Sequence, residues 1–340
     1  MLKLNRVLRV SFLLAITIAI FTVFLNFWDS EASIERGGVQ DDDSVIVYLV
    51  HPNEMDNLYV SISLVHKNMV FLRTSPYKIY LLHDKNLWSS SIMLMKTRIK
   101  SAFPGLRFEF KQIDWSLPAH YNQATDPPTA WVGGFPNYNI MIRFWFRQIL
   151  FLFPDKRYYL RLDTDSFIGS EMKTDPFKLM KSKGWAYGYR GMDIDYPHVT
   201  QGMAQFLDKY IKGDPHALNV SQANKFQLPS PQDWGSYHPK AMYNNFEIVD
   251  MQRFRQTDMM KFIDAVDATN FMLTRRWGDA PLRYMQCALV LDWEKEVWNI
   301  NDFQYFHGHH NFHFFPGSAE PFHETNGTYW ESLLAAASSQ

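Results

Sequence analysis

Between Ser44 and Ile113 three short apolar runs alternate with two stretches of helical period, and this alternation limits the available folds more than anything else in the chain. The runs are Ser44 to Val50, Tyr77 to Asp84 and Arg107 to Ile113, each with the length and β-branched or aromatic content of a strand. Between the first two, Leu58, Ile62, Val65, Met69 and Leu72 recur near every 3.6 residues, which predicts an amphipathic helix over Asn57 to Arg73. Ile92, Met95, Ile99 and Phe103 repeat the pattern before the third run. Strands joined through helices pair in parallel, so the chain is predicted to be an α/β protein on a mixed, mostly parallel sheet. No GxGxxG and no GxxxxGK[ST] follows the opening strand, which excludes a dinucleotide fingerprint and a P-loop there.

A further strand is expected at Tyr158 to Leu162, and it delivers Asp163 and Asp165 at its C-terminal end. That end of an open α/β sheet is where ligands bind. An Asp-x-Asp pair suits a hard divalent cation, and such a cation neutralises a diphosphate. The competing reading is that the two aspartates shape a turn or cap a helix. The helix expected over Ile140 to Phe153 carries Arg143 and Arg147 one turn apart, either available to a phosphate or to an ordinary ion pair. Trp115 to Asn139, rich in Pro, Gly, Asn and Asp, reads as a long loop.

Glu247, set between Phe246 and Ile248, is a carboxylate in apolar surroundings, where desolvation makes a base, ligand or nucleophile. Its alternative is a backbone or arginine partner. Asp279, between Gly278 and Pro281, reads most simply as the N-cap of a new helix. His307, His309, His310 and His313 form a late cluster with metal-ligating chemistry, or a loop merely rich in histidine. Cys287 stands alone in the sequence, in apolar company, and is expected to be a buried small hydrophobe.

The formal net charge of -1 argues against a nucleic-acid partner, which calls for a concentrated excess of Lys and Arg. Lys3, Arg6 and Arg9 precede Val10 to Trp28, a run without charge that is long enough to cross a bilayer as a helix, and Asp29 and Glu31 follow it. We therefore expect a cytoplasmic tail over 1–9, a transmembrane signal-anchor over 10–28 and a polar stem over 29–43. The catalytic body is expected over 44–330 and a tail over 331–340. Sequons at Asn219 and Asn326 agree with a lumenal body.

NFEIVDMQRF (Asn245 to Phe254) and, some thirty residues on, RRWGDAPLRYMQCALVL (Arg275 to Leu291) resemble the fungal Golgi α-1,2-mannosyltransferase family. So do MIRF (Met141 to Phe144), RYYLRLDTD (Arg157 to Asp165) and the late aromatic-His element Gln304 to His307. The resemblance covers most of the body from Ser44 to Pro316. It implies a GT-A-type fold, a Golgi membrane enzyme of a single span, manganese dependence, and transfer of mannose from GDP-mannose to a mannose-containing glycan with retention, through α-1,2 linkages. By position it implies that Asp163, Asp165 and His307 hold the manganese and that Arg143, Asp163 and Asp165 meet the nucleotide. Glu247 then stands near the sugar's reactive carbon, and Asp279 belongs to the catalytic element. Where the family reads EPD this chain has Asp163-Thr164-Asp165, which shortens the first carboxylate by a methylene. The same fold with another nucleotide sugar or linkage, and a lumenal glycan-binding protein without turnover, remain as alternatives. Over Tyr121 to Asn139 and Tyr196 to Gln232 the resemblance carries no firm match.

Overall fold

The computed structural model describes residues 43–75, 77–85, 89–128, 135–308, 312–314 and 322–323. The expected tail, anchor and most of the stem, the sequon at Asn326, His309, His310 and residues 331–340 lie outside them. Among the described residues no helix is long and apolar enough to cross a membrane.

The alternating start folds as expected. Strands β1 (Ser44–Leu49), β2 (Lys78–Asp84) and β3 (Arg107–Ile113) pair in parallel, with the helices Met55–Asn68 and Ser89–Ala102 as crossovers. β4 (Tyr158–Leu162) adds in parallel on the other side of β1, Val45 opposite Tyr159. β5 (Ser166–Ile168) follows a short turn. Beyond β4 lies β9 (Phe246–Asp250), which runs antiparallel to it and to β6 (Tyr187–Tyr189). β10 (Val297–Asn299) closes the edge parallel to β6, giving the order β10-β6-β9-β4-β1-β2-β3. β9 is thus the single inverted strand of a seven-stranded mixed sheet.

Side chains alternate across each strand. On one face Val45, Val47, Tyr159 and Val249 pack against the helices Thr257–Asp267 and Asp279–Val290 and against the helical stretch from Asn137 to Leu152. On the other, Ile46, Tyr48, Leu160 and Ile248 meet Met55–Asn68, Ser89–Ala102 and Pro176–Lys183. The stretch from Asn137 is not one regular α-helix, because Phe144–Gln148 takes π geometry in its middle. Such a turn re-aims the side chains it carries.

Two smaller sheets complete the body. β7 (Met192–Ile194) and β8 (Lys240–Met242) form an antiparallel ribbon. β11 (Tyr305–His307) pairs antiparallel with β5 and with β12 (Phe312–Phe314), which pairs with β13 (Phe322–His323). Cys287 is fully buried in a helix, as its neighbours suggested.

Candidate active site

The C-terminal ends of β1, β2 and β4 open into a cleft of about 1010 Å³, lined by His51, Glu54, Asp84, Tyr138, Trp145 and the Asp163-Thr164-Asp165 turn among others. The residues that precede the inverted strand, Tyr243, Asn244 and Asn245, enter the same cleft from the opposite direction. They also brace it. The Asp163 amide donates to the Asn245 carbonyl at 3.1 Å, and the Asn245 side-chain oxygen accepts from the Tyr305 hydroxyl at 2.7 Å.

Pairing of β5 with β11 sets His307 opposite Ser166, so His307 Nε2 comes to 3.0 Å from Asp165 Oδ1. Both side chains are nearly buried. The next residue must be small. A Cβ on Gly308 would lie 2.9 Å from the ring of Phe167, and the Gly308 amide donates to the Asp165 carbonyl.

Asp163 is drawn elsewhere. Arg161 grips it in a fork, Nε to Oδ1 at 2.9 Å and Nη2 to Oδ2 at 3.2 Å. Arg161 also donates from Nη1 to Asp279 Oδ2 at 2.7 Å and lies 4.2 Å over the ring of Trp145, which the π turn carries. Among the described residues, then, no group of three or more His, Cys, Asp or Glu side chains is arranged to hold a metal ion. Of the expected set, Asp165 and His307 stand side by side, while Asp163 is held by Arg161. The pair still suits a hard cation of the kind that keeps waters and takes its remaining ligands from a nucleotide's phosphates.

Asp279 is not an N-cap. Gly278 occupies that position and Asp279 is the first residue of the helix, with Oδ2 held by Arg161 and by Asn244 Nδ2 at 2.9 Å on the floor of the cleft.

Glu247 stands opposite Arg161 in the sheet register. It is completely buried and does not line the cleft. Tyr159 and Tyr187 donate to its two oxygens at 2.8 and 2.9 Å, and Arg283 Nε stands 3.4 Å from Oε2. Burial raises its carboxyl above the usual range, against the pull of Arg283 and Arg161. The structure thus places Glu247 beneath the lining of the cleft, with both its oxygens engaged by protein groups. Arg143 is likewise turned away. It forms a two-point pair with Asp267, at 2.6 and 2.8 Å, and Arg147 joins the same carboxylate at 3.1 Å. The Arg143 side chain is not among those that line the cleft.

The sequence reading missed Glu54, Asp84, Asn244 and Asn245. Glu54 accepts from Thr164 Oγ1 at 2.9 Å across the mouth. A signal was available for three of them, since Asp84 ends β2 and Asn244 and Asn245 directly precede β9, whereas Glu54 lies in the 3-10 turn Pro52–Glu54 after β1. The lining thus carries the carboxylates of Glu54, Asp84, Asp163, Asp165 and Asp279, and among the described residues Arg161 is its one guanidinium or ammonium group. A diphosphate brought to such a surface is repelled unless a cation comes with it.

A family model described as glycolipid 2-alpha-mannosyltransferase matches residues 29–313. Among curated proteins the chain is similar to the glycolipid 2-alpha-mannosyltransferase of Saccharomyces cerevisiae, 26% identical over 205 residues, which is 57% of this chain and 45% of the relative. It is also similar to the probable mannosyltransferase KTR3 of the same yeast, 28% identical over 141 residues, 42% of this chain and 34% of the relative. These matches span between a third and a half of the curated relatives' length. Among solved structures, core-mannan synthase A from Aspergillus fumigatus in its Mn/GDP form superposes with a TM-score of 0.70 at 18% identity, covering 86% of this chain and 81% of the other. That likeness establishes a mixed α/β glycosyltransferase fold.

Proposed function

The chain belongs to the glycolipid 2-alpha-mannosyltransferase family, and from that premise we propose that it transfers mannose from GDP-mannose to a hydroxyl of a mannose-containing glycan, with retention and through α-1,2 linkages, in a GT-A-type domain. The observation that carries this reading is the acidic cleft at the C-terminal ends of parallel strands, with the Asp165–His307 pair in it. Asp165 and His307 would hold manganese, which supplies the positive charge that a nucleoside diphosphate needs in such surroundings.

The chain's own residues divide the remaining work. Arg161, pinned by Asp163 and Asp279, gives the floor one fixed positive charge. Asp279 presents its carboxylate at the start of a helix beside Asn244, where it faces positive charge that develops on the sugar. Glu247 touches no substrate from its enclosed position, and a nucleophile must reach the reacting carbon. The reaction that fits is therefore a front-side exchange. The bond from the anomeric carbon to the phosphate oxygen breaks, the acceptor oxygen bonds on the same face, and the acceptor's proton goes to the departing phosphate. Glu247 acts through Arg283 and Arg161 as a positioning residue.

Support for a Golgi membrane enzyme of type II comes from the sequence of 1–28, with basic residues before an apolar run of bilayer length. Asn219 of the first sequon is exposed on the helix Pro215–Ala223, open to a glycan.

The test is a panel of nucleotide sugars and mannoside acceptors with manganese, the product linkage being read by NMR. Transfer from GDP-mannose into an α-1,2 linkage is expected. Preference for a uridine-linked donor would overturn the donor assignment. Manganese-dependent GDP binding without transfer to any acceptor would make the protein a glycan-binding relative of the enzymes.

A further inference from the structure

Beyond the cleft, the ribbon of β7 and β8 carries a group of aromatic side chains that the reaction does not use. Tyr196, just past β7, is 58% exposed although it is large and half apolar. It stacks on His198, centroids 5.9 Å apart and planes at 29°, and meets the edge of His238 at 6.1 Å. His238 precedes β8, and Tyr243, which follows β8, lines the cleft, so one ribbon about 10 Å long joins the two places. Asp195 links them again. Its Oδ1 accepts from the Tyr196 amide at 2.9 Å, and its Oδ2 lies 3.3 Å from where a Cβ on Gly278 would be, one residue before Asp279. Arg276 completes the join, donating to the Tyr138 hydroxyl of the cleft wall at 3.2 Å.

We propose that the shelf of Tyr196, His198 and His238, with Asp195 beside it, binds the second sugar ring of the acceptor, so that the acceptor is at least a disaccharide. The inference rests on the transferase reading and names its acceptor more closely. An exposed aromatic face takes the apolar face of a pyranose, and a neighbouring carboxylate takes its hydroxyls, a pairing of flat apolar surface with polar edge that a sugar meets well. Asp193 and Asp195 disfavour a phosphorylated occupant, so the ring is neutral. The shelf is continuous with the place where Asp279 waits, which puts the second ring outside and the reacting ring inside.

The test reads binding rather than turnover, so that its failure is distinct from failure of the transferase reading. The full protein with manganese and GDP is titrated with methyl α-mannoside and with the methyl glycoside of an α-1,2-linked mannobiose, and saturation-transfer NMR reports which ring is contacted. The disaccharide is expected to bind about five- to tenfold tighter than the monosaccharide, an aromatic contact of ordinary size. Tyr196→Ala should remove that advantage, Tyr196→Phe should keep it, and His238→Ala should reduce it. Equal binding of the two sugars to the unaltered protein, or an equal loss for both in Tyr196→Ala, overturns the proposal.

Discussion

His307 Nε2 lies 3.0 Å from Asp165 Oδ1, and nothing local in the chain brings them together. The pairing of β11 with β5 does, and it places a histidine beside the second aspartate of the turn while the first turns to Arg161. The two aspartates should therefore be unequal. Asp165→Asn and His307→Ala are each expected to weaken manganese affinity by at least about tenfold, measured by calorimetry with GDP present, and Asp163→Asn by less. An Asp163 variant as damaging to manganese binding as the Asp165 variant would restore the three-ligand site.

Arg143 is expected to matter for folding and not for the nucleotide. Its two-point pair with Asp267 joins the helical stretch from Asn137 to the helix Thr257–Asp267, with both side chains only 11% exposed. Arg143→Ala removes two charge-assisted hydrogen bonds and leaves Asp267 to Arg147, and should cost about 2 kcal/mol in urea denaturation. GDP affinity of the folded fraction should stay at the unaltered value. A lowered affinity would return Arg143 to the cleft.

Glu247 and Arg283 face each other with no exposure to solvent. Glu247→Gln leaves the guanidinium without its charge partner, and a loss of about 3 kcal/mol is expected. Adding Arg283→Met should recover stability, because a buried ion pair is replaceable by apolar volume. Transfer should remain impaired, since Arg161 then lacks the charge beneath it. Full recovery of transfer in the double variant would show that Glu247 only balances Arg283.

Asp214 supplies a pH dependence away from the cleft. The Lys261 ammonium at 2.7 Å, and then the amides of His216 and Ala217, hold its carboxyl below the ordinary value. The folded state thus binds this proton less readily than the unfolded chain. The stabilisation is present above the unfolded value, about 3.9, and is lost as pH falls through the lower folded one. Asp214→Ala should cost about 1 kcal/mol at neutral pH as a lost helix cap, and the difference from the unaltered protein should narrow below about pH 4. A gap that widened on acidification would reverse the sign.

What the sequence displayed well was set by local chemistry. Alternation and length marked β2, β3 and β4 to within a residue. Spacing could not separate an N-cap from a first helical residue at Asp279, since the two differ only in backbone angles. The surroundings of Arg143 and Glu247 were illegible for another reason. Their partners, Asp267 for one and Tyr159, Tyr187 and Arg283 for the other, come from distant elements, and a run of letters around a charge does not say what faces it.

The one reversed strand has a lasting effect on how this architecture can vary. Because β9 runs against its neighbours, the long excursion from β6 to β9 is fed back to the rim where β4 ends. Insertions or deletions along that excursion can reshape what greets an incoming molecule while the aspartate turn stays as it is.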